Sequence, residues 1–163
     1  MTSLLHPRVE AAIVEAGITV RELACSADFA DTAAFMEEYG FTSEQSANTI
    51  LVASKKVEPA KYAVCVVLAS TKLDVNKKVR ELLGVRKASF ADGDTTVQMT
   101  DMQIGGVTAI GIADLPIYVD SAVMEQPEVV MGGGNRTTKV VLAPSELLKL
   151  PNVEVVKELA KLV

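Results

Sequence analysis

The feature that most constrains the fold is an apolar run at residues 61–69, the most hydrophobic segment of the chain. A run of this length predicts a buried strand rather than a membrane span, which needs about 20 apolar residues. Cys65 lies within the run, where a small buried hydrophobe is expected. A second apolar segment, residues 49–53, precedes the run across a polar loop at residues 55–60. We therefore predict that the two segments pair as a hairpin.

Helical and strand patterns alternate irregularly along the rest of the chain. A proline in the first turn and Gly17 after the last turn predict a helix at residues 7–16, and Asp31 and Gly40 bound a second helix at residues 32–39. Further helices are predicted at 76–83, at 93–99 behind Asp92, and after Pro144, with strands at 18–23, 87–90, 117–119 and 139–142. The tail, residues 153–162, is expected to be helical, or a strand followed by a helix. The mixture predicts an α+β fold: a mixed, mostly antiparallel sheet curled into a barrel-like core with flanking helices.

The composition bounds the class of protein. With 163 residues, of which 49% are hydrophobic, the chain is predicted to form one domain over residues 1–163. His6 is the only histidine and the two cysteines have no metal-binding spacing, so neither a metal centre nor a Ser-His-Asp unit is expected. No secretory signal pattern and no membrane-length apolar run occur, so we expect a cytoplasmic protein without a membrane partner.

The charge distribution is asymmetric. The formal net charge of −5 argues against broad, nonspecific binding to nucleic acid, because such binding neutralises many phosphates. Residues 55–87 nevertheless carry nine basic and only three acidic side chains, whereas residues 1–47 carry two basic and eight acidic ones. The basic segment is suited to an anionic partner, and a solvated surface is the alternative.

Two glycine clusters interrupt the second half of the chain, at residues 105–106 and 132–134. Neither is a dinucleotide-binding fingerprint or a phosphate-binding P-loop, because the spacing of the first and the Lys-Ser/Thr of the second are missing. Glycine permits both a tight turn and the close approach of a ligand to main-chain N–H groups. Each cluster on its own is therefore compatible with a turn or with a binding loop.

An ordered set of short motifs is more specific than either cluster. It consists of NTILV at 48–52, LDVNKK at 73–78, RKASFA at 86–91, GGVTAIG at 105–111, VD at 119–120, GGG at 132–134 and PSEL at 144–147. This order resembles the YbaK/ProX family of freestanding aminoacyl-tRNA editing domains over about residues 30–150.

The resemblance implies hydrolysis of misacylated tRNA, typically tRNA for proline that carries cysteine or alanine, without a metal or an organic cofactor. The expected partner is the acceptor end of aminoacyl-tRNA, with an aminoacyl-tRNA synthetase as a further partner, and DNA is not expected to bind. Ester hydrolysis needs donors for the developing oxyanion, which main-chain N–H groups of a glycine loop can supply. Water is the expected nucleophile, or the substrate's own thiol where the substrate carries cysteine.

The matching positions imply a site. Catalytic roles fall on Asn48 and Gly106. The expected substrate-binding residues are Thr49, Gly105, Val107, Thr108, Asp120, Gly132, Gly133 and Gly134. The basic segment provides the expected tRNA contacts, which are Lys77, Lys78, Arg80 and Lys87. For Asp120, a helix or turn cap is an equal alternative.

Two positions depart from the family pattern. The lysine that opens the first family motif is Asn48 here, and Ala109 replaces a proline in the glycine loop. An asparagine is a neutral, shorter donor than an ammonium, so one hypothesis is an active deacylase and the alternative is a catalytically weakened or inactive module that binds tRNA or a synthetase. A third interpretation makes the apolar residues of 153–162 a docking surface for a synthetase, with core packing as the ordinary alternative.

Overall fold

The computed structural model describes residues 4–162. The helices are α1 Pro7–Ala16, α2 Thr32–Tyr39, α3 Arg80–Leu83, α4 Gly93–Thr100 and α5 Ser121–Met124, with 3-10 turns at Ala27–Phe29 and Pro144–Lys149 and a π-helical segment at Val75–Val79. The strands are β1 Arg21–Ala24, β2 Ala47–Ser54, β3 Tyr62–Leu68, β4 Thr71–Leu73, β5 Ala88–Phe90, β6 Ile117–Asp120, β7 Val129–Gly132, β8 Thr138–Leu142, β9 Val153–Val156 and β10 Ala160–Leu162.

The strands form three sheets. The largest has the order β5-β2-β3-β6-β9, the second β1-β8-β7 and the third β10-β4. The predicted hairpin is confirmed, since β2 and β3 pair antiparallel with Ile50 opposite Cys65. Strands β3, β6 and β9 run parallel, and the other pairs are antiparallel. The α+β class and the mostly antiparallel pairing are therefore confirmed.

The predicted barrel-like core is wrong, because no closed barrel forms within residues 4–162. Strand β5 pairs with β2 over residues 52–54 only, so the first half of β2 has an open edge on that side. A single bridge between Ser46 and Val130 joins this region to β7. The opening between the two larger sheets is where the candidate site lies.

Local signals place the helices. The bounds of α1 and α2 agree with the predicted ones, and the Asp92 carboxylate caps α4 by accepting from the Thr95 N–H at 2.7 Å. Gly40 ends α2 with a φ of 77°, in the left-handed region that glycine adopts readily. Asp31 precedes α2 as predicted, but its side chain makes no capping bond. It pairs instead with Arg136, at 3.2 Å.

Of the two alternatives predicted for the tail, a helix throughout is wrong, and in the other the strand is present but a second strand replaces the helix. Residues 153–156 form β9, which adds to the largest sheet beside β6, and residues 160–162 form β10 beside β4. Valine is β-branched and fits a pleated sheet better than a helix, which favours the strand once a partner edge is present. Val156 and Leu159 pack in the core, whereas Val155 and Leu162 are exposed.

Strand β3 separates two apolar clusters. Val64 and Val66 face the larger cluster, which includes residues of α1, β6 and β8, while Cys65 and Val67 face a smaller cluster that includes Val79. Full burial of a side chain of this size stabilises the fold by about 1.5–3 kcal/mol. Burial also raises the pKa of Cys65 to about 12, as expected for a packed thiol. None of the helices in residues 4–162 is long and apolar enough to span a bilayer.

Candidate functional site

A cavity of about 360 Å³ lies at the open edge of β2. It is lined by the start of α2, the first half of β2, the loop at residues 104–107 and the end of β7, together with residues from the end of β5, from α4 and from β8. The predicted site residues that line it are Asn48, Thr49, Gly105, Val107 and Gly132. With Phe90 and Ala91, the fold brings together residues of four of the motifs, and the outermost of these residues, Asn48 and Gly132, are more than 80 positions apart along the chain.

Strand β2 contributes two polar side chains. The Asn48 Oδ1 atom accepts a hydrogen bond from Thr32 Oγ1 at 2.6 Å, which orients the amide and leaves its Nδ2 group without an acceptor among residues 4–162. The Thr49 Oγ1 atom is buried and also has no partner there. Buried polar groups are normally hydrogen-bonded, so the Thr49 hydroxyl is suited to a polar ligand, and the partly exposed Nδ2 group of Asn48 is a second donor at the same wall.

The glycine loop forms the opposite wall. Gly105 has a φ of 90°, and a Cβ atom there would lie 2.3 Å from Nη1 of Arg136. Glycine is therefore required both by the backbone conformation and by the guanidinium packed against it. The main-chain N–H groups of Gly105 and Val107 donate to no acceptor in the described part of the chain, and both residues line the cavity.

Gly106 is not among the residues that line the cavity, and the catalytic role predicted for it stays a prediction. Its N–H donates to the Gln103 carbonyl at 2.9 Å and its carbonyl accepts from the Gly134 N–H at 2.7 Å, so neither group is available to a substrate. A Cβ atom on Gly106 would lie 2.0 Å from the Asn135 carbonyl oxygen. The physical reason for this glycine is the contact between the two glycine clusters, which pack backbone against backbone.

The other predicted substrate-binding residues also lie outside the cavity lining. Thr108 is fully buried beneath the loop, and Gly133 and Gly134 pack against Thr138 and α1 respectively. Asp120 is buried at the end of β6, where its Oδ1 atom accepts from the Leu159 N–H at 3.2 Å.

Burial raises the pKa of Asp120, and hydrogen bonds from backbone N–H groups oppose the rise. Its contacts are those of a carboxylate that holds β10 in place. Asp120 occupies the N-cap position of α5 but its side chain makes no capping hydrogen bond there, and its predicted role in substrate binding stays a prediction.

A buried lysine that the motifs did not indicate also lines the cavity. Lys139 lies in β8 opposite Gly132, with 6% of its surface exposed. Its Nζ atom donates to the carbonyl oxygens of Ala30 at 2.6 Å and Gly105 at 2.7 Å, and lies 5.4 Å from the centroid of the Phe35 ring. Desolvation lowers the pKa of Lys139. The one sequence signal for this site was a lysine within an otherwise apolar strand, just after a glycine cluster.

Arg136 lies between β7 and β8 and contacts the same loop as Lys139. Its Nη1 atom donates to the Ile104 carbonyl at 2.9 Å and its Nη2 atom to the Ala27 carbonyl at 2.6 Å. Together with Lys139, it joins the loop at 104–105 to the segment at 27–31. We call this pair of side chains, Arg136 and Lys139, the inner cations.

The four predicted tRNA contacts lie away from the cavity. Lys77 and Lys78 belong to the π-helical segment, Arg80 begins α3 and Lys87 precedes β5; Lys78 is half-buried and the other three are exposed. Nothing in the contacts of these side chains shows an RNA interface, so their role stays a prediction. No group of three or more metal-ligating side chains occurs anywhere in residues 4–162.

The chain is similar to one protein family and to several solved structures. A family model described as the aminoacyl-tRNA editing domain matches residues 26–150. A candidate trans-editing enzyme for prolyl tRNA synthetase superposes with a TM-score of 0.80 at 23% identity, over 99% of this chain and 99% of that chain. A hypothetical protein superposes with a TM-score of 0.80 at 22% identity, over 91% of this chain and 96% of that chain.

A candidate signal transduction protein from Marinobacter aquaeolei VT8 superposes with a TM-score of 0.64 at 15% identity, over 94% of this chain and 30% of that chain. All of these identities are below 25%, so the structural likenesses show a common fold. The same fold therefore occurs both as a whole chain and as part of a longer one.

Proposed function

The chain belongs to the family of aminoacyl-tRNA editing domains, and on that premise we propose that it is a trans-editing deacylase of misacylated tRNA. The proposed substrates are tRNAs of the proline class that carry cysteine or alanine, or a related mischarged tRNA. The observation that carries the proposal is the cavity, which combines unused polar donors with a buried lysine. The proposed partner is the acceptor end of aminoacyl-tRNA in the cytoplasm, with a synthetase as a further partner.

The donors of the cavity fit an ester oxyanion. The N–H groups of Gly105 and Val107 and the Nδ2 group of Asn48 all belong to cavity-lining residues. Preorganised donors of this kind stabilise charge that develops in a transition state, and each contributes about 3–4 kcal/mol when it is well placed. Lys139 supports the same wall, because its ammonium holds the Gly105 carbonyl and fixes the direction of the loop.

The mouth of the cavity fits the α-ammonium of an aminoacyl group. Asp31 lines the cavity, and its side chain is 68% exposed. Its Oδ1 atom pairs with Arg136, which fixes the carboxylate and leaves Oδ2 toward solvent or ligand. A carboxylate held in this way attracts a substrate cation, so we assign Asp31 to recognition of the amino group.

The chemistry proceeds without a protein nucleophile. A water molecule adds to the ester carbonyl, the bond between that carbon and the ribose oxygen breaks, and the proton from water passes to the ribose oxygen. The cavity lining contains hydroxyl groups but no histidine or cysteine to activate one. The role of the chain is therefore to bind, to orient and to stabilise charge.

Asn48 keeps the alternative open, since a neutral amide occupies the position of the family lysine. A module that binds tRNA without hydrolysing it would retain the cavity and lose the chemistry. The two functions differ in turnover, so turnover is the quantity to measure.

The test is a single-turnover deacylation screen over a panel of mischarged tRNAs, with Asn48→Ala, Asn48→Lys and Thr32→Val as variants. We expect wild type to hydrolyse at least one of them, Asn48→Ala to be about 100-fold slower, and Asn48→Lys to match or exceed wild type. Thr32→Val removes only the hydroxyl that orients the amide, so a smaller loss is expected. If no tRNA is hydrolysed by any variant, the binding module is the better description; if Asn48→Ala is as fast as wild type, Asn48 is not part of the machinery.

A further inference from the structure

A second cavity, of about 530 Å³, runs beside β5 on the surface of the molecule. We call it the outer groove. Its lining comprises Lys72, Leu73, Asp74, Val75, Asn76, Ala88, Ser89, Phe90, Lys161 and Leu162. Phe90 also lines the cavity at the open edge of β2. One aromatic ring therefore lies at the junction of the outer groove and the candidate active site.

Phe90 is unusually placed for a phenylalanine. It ends the edge strand β5, opposite the buried Val52 of β2, yet 56% of its surface is exposed, the largest exposed fraction among the aromatic residues described. Core packing does not account for a ring in this position. Exposed aromatic rings in nucleic-acid-binding grooves provide platforms on which unpaired bases stack.

The two lysines of the outer groove face each other. Lys72 of β4 and Lys161 of β10 are directly opposite partners in the two-stranded sheet. Like charges at such positions repel and destabilise the pair of strands. Asp74 offsets this only in part, since its carboxylate lies 3.8 Å from Lys161 Nζ and also accepts from the Lys77 N–H. An anion bound between the two lysines would relieve the repulsion.

We propose that the outer groove binds the unpaired 3′ end of tRNA, with a base stacked on Phe90 and the backbone phosphates at Lys72 and Lys161. The esterified ribose then enters the cavity lined by Asn48 and Gly105. The identity of the ligand rests on the proposed function. The path of the RNA rests on Phe90, because this residue lines both the outer groove and the cavity. Residues 72–76 of the basic segment line the groove, and Lys72 is the basic residue among them.

The test uses a short single-stranded RNA that ends in CCA, with 2-aminopurine in place of the terminal adenine. Stacking quenches the fluorescence of 2-aminopurine, so binding is observed without hydrolysis. We expect quenching with wild type and with Phe90→Tyr, and with Phe90→Ala we expect the quenching to disappear and the affinity to fall by about 5- to 100-fold. The matched control is Val155→Ala, an exposed apolar residue on β9 at the opposite edge of the same sheet.

The lysines are tested by salt dependence. In Lys72→Gln/Lys161→Gln, the slope of log affinity against log salt concentration should become shallower by about 1.4, or about 0.7 for each phosphate contact to a single strand. An unchanged slope together with undiminished quenching in Phe90→Ala overturns the proposal. So does capture of an aminoacyl-tRNA synthetase that depends on Phe90 while the RNA does not bind.

Failure of this inference is distinguishable from failure of the proposed function. If wild type and Phe90→Ala hydrolyse a misacylated tRNA with equal kcat/KM, the deacylase assignment stands and the outer groove is not its RNA path. If quenching depends on Phe90 but no misacylated tRNA is hydrolysed, the RNA site stands and the deacylase assignment falls.

Discussion

The inner cations and the lysines of the outer groove carry the same charge in opposite surroundings. Lys139 and Arg136 donate to main-chain carbonyls and hold the glycine loop in place. Lys161 is a surface side chain whose ammonium has one distant carboxylate as a neighbour. A cation enclosed by carbonyl groups fixes geometry, whereas a solvated cation is available to a phosphate. The comparison teaches that main-chain carbonyl partners, and not the count of charges, distinguish the inner cations from the lysines for which we propose a binding role.

The largest expected effect is on stability, and it concerns the contact between the two glycine clusters. Gly106→Ala places a Cβ atom 2.0 Å from the Asn135 carbonyl oxygen, and a backbone atom cannot move aside as a side chain can. We expect a loss of about 3 kcal/mol or more in the free energy of unfolding, measured by urea denaturation.

Gly93→Ala is the matched control for this change. Its Cβ atom would meet only the Ile104 side chain, at 4.0 Å, so we expect a change within about 0.5 kcal/mol. A Gly106→Ala protein as stable as Gly93→Ala would show that the loops are less closely packed than described, and would return Gly106 to consideration as a ligand-contacting residue.

The next effect is on kcat, and it distinguishes the inner cations from the outer groove. Lys139→Met keeps the approximate volume and removes the donor to the Ala30 and Gly105 carbonyls. We expect kcat for a hydrolysed misacylated tRNA to fall by about 100-fold while KM changes little, because the loop loses its fixed direction but the outer groove is intact.

Lys149→Met is its control, since Lys149 also donates to a backbone carbonyl, that of Gly17 at 3.1 Å, but outside the cavity. We expect that variant to keep wild-type kinetics. A fall in activity of the same size in both variants would reduce the role of Lys139 to general stability.

A smaller effect is expected in the exposed segment. Reversing the charges of Lys77, Lys78, Arg80 and Lys87 to Glu should weaken tRNA binding and make the slope of log affinity against log salt concentration shallower by about 3. At saturating tRNA, kcat should equal that of wild type. Equal affinities and equal slopes for the two proteins would show that the segment is only a solvated surface.

The smallest effect concerns pH. Because the pKa of Lys139 is lowered in the folded state, the unfolded chain binds more protons between that lowered pKa and the ordinary value of 10.5. The stability of wild type should therefore rise relative to Lys139→Met as the pH increases through this interval. The titration of Cys65 is common to both proteins and cancels in the difference. The charge of Lys139 lowers the pKa of Cys25, so both proteins are compared in a Cys25→Ala background. A difference that is flat with pH would mean that Lys139 is not desolvated.

Part of the fold could be predicted because its signals are local. The β2–β3 hairpin follows from two apolar runs around a polar loop. Helices α1 and α2 follow from the residues at their ends, which favour the start of a helix or stop it. The barrel and the helical tail were wrong for one common reason. Each depended on which strand edges meet, and β9 became a strand because the edge of β6 was available to it.

The sequence by itself determined the family, the α+β class and the motifs from which the candidate site is built, because short ordered motifs and periodicity are properties of neighbouring residues. Only the tertiary structure decided that Gly106 packs against the Asn135 backbone, and that Lys139 lines the cavity. Lys139 meets the carbonyl of Ala30 across 109 positions of the chain. Contacts over such separations depend on how the sheets pack, and packing is set by shape and burial that no local pattern encodes.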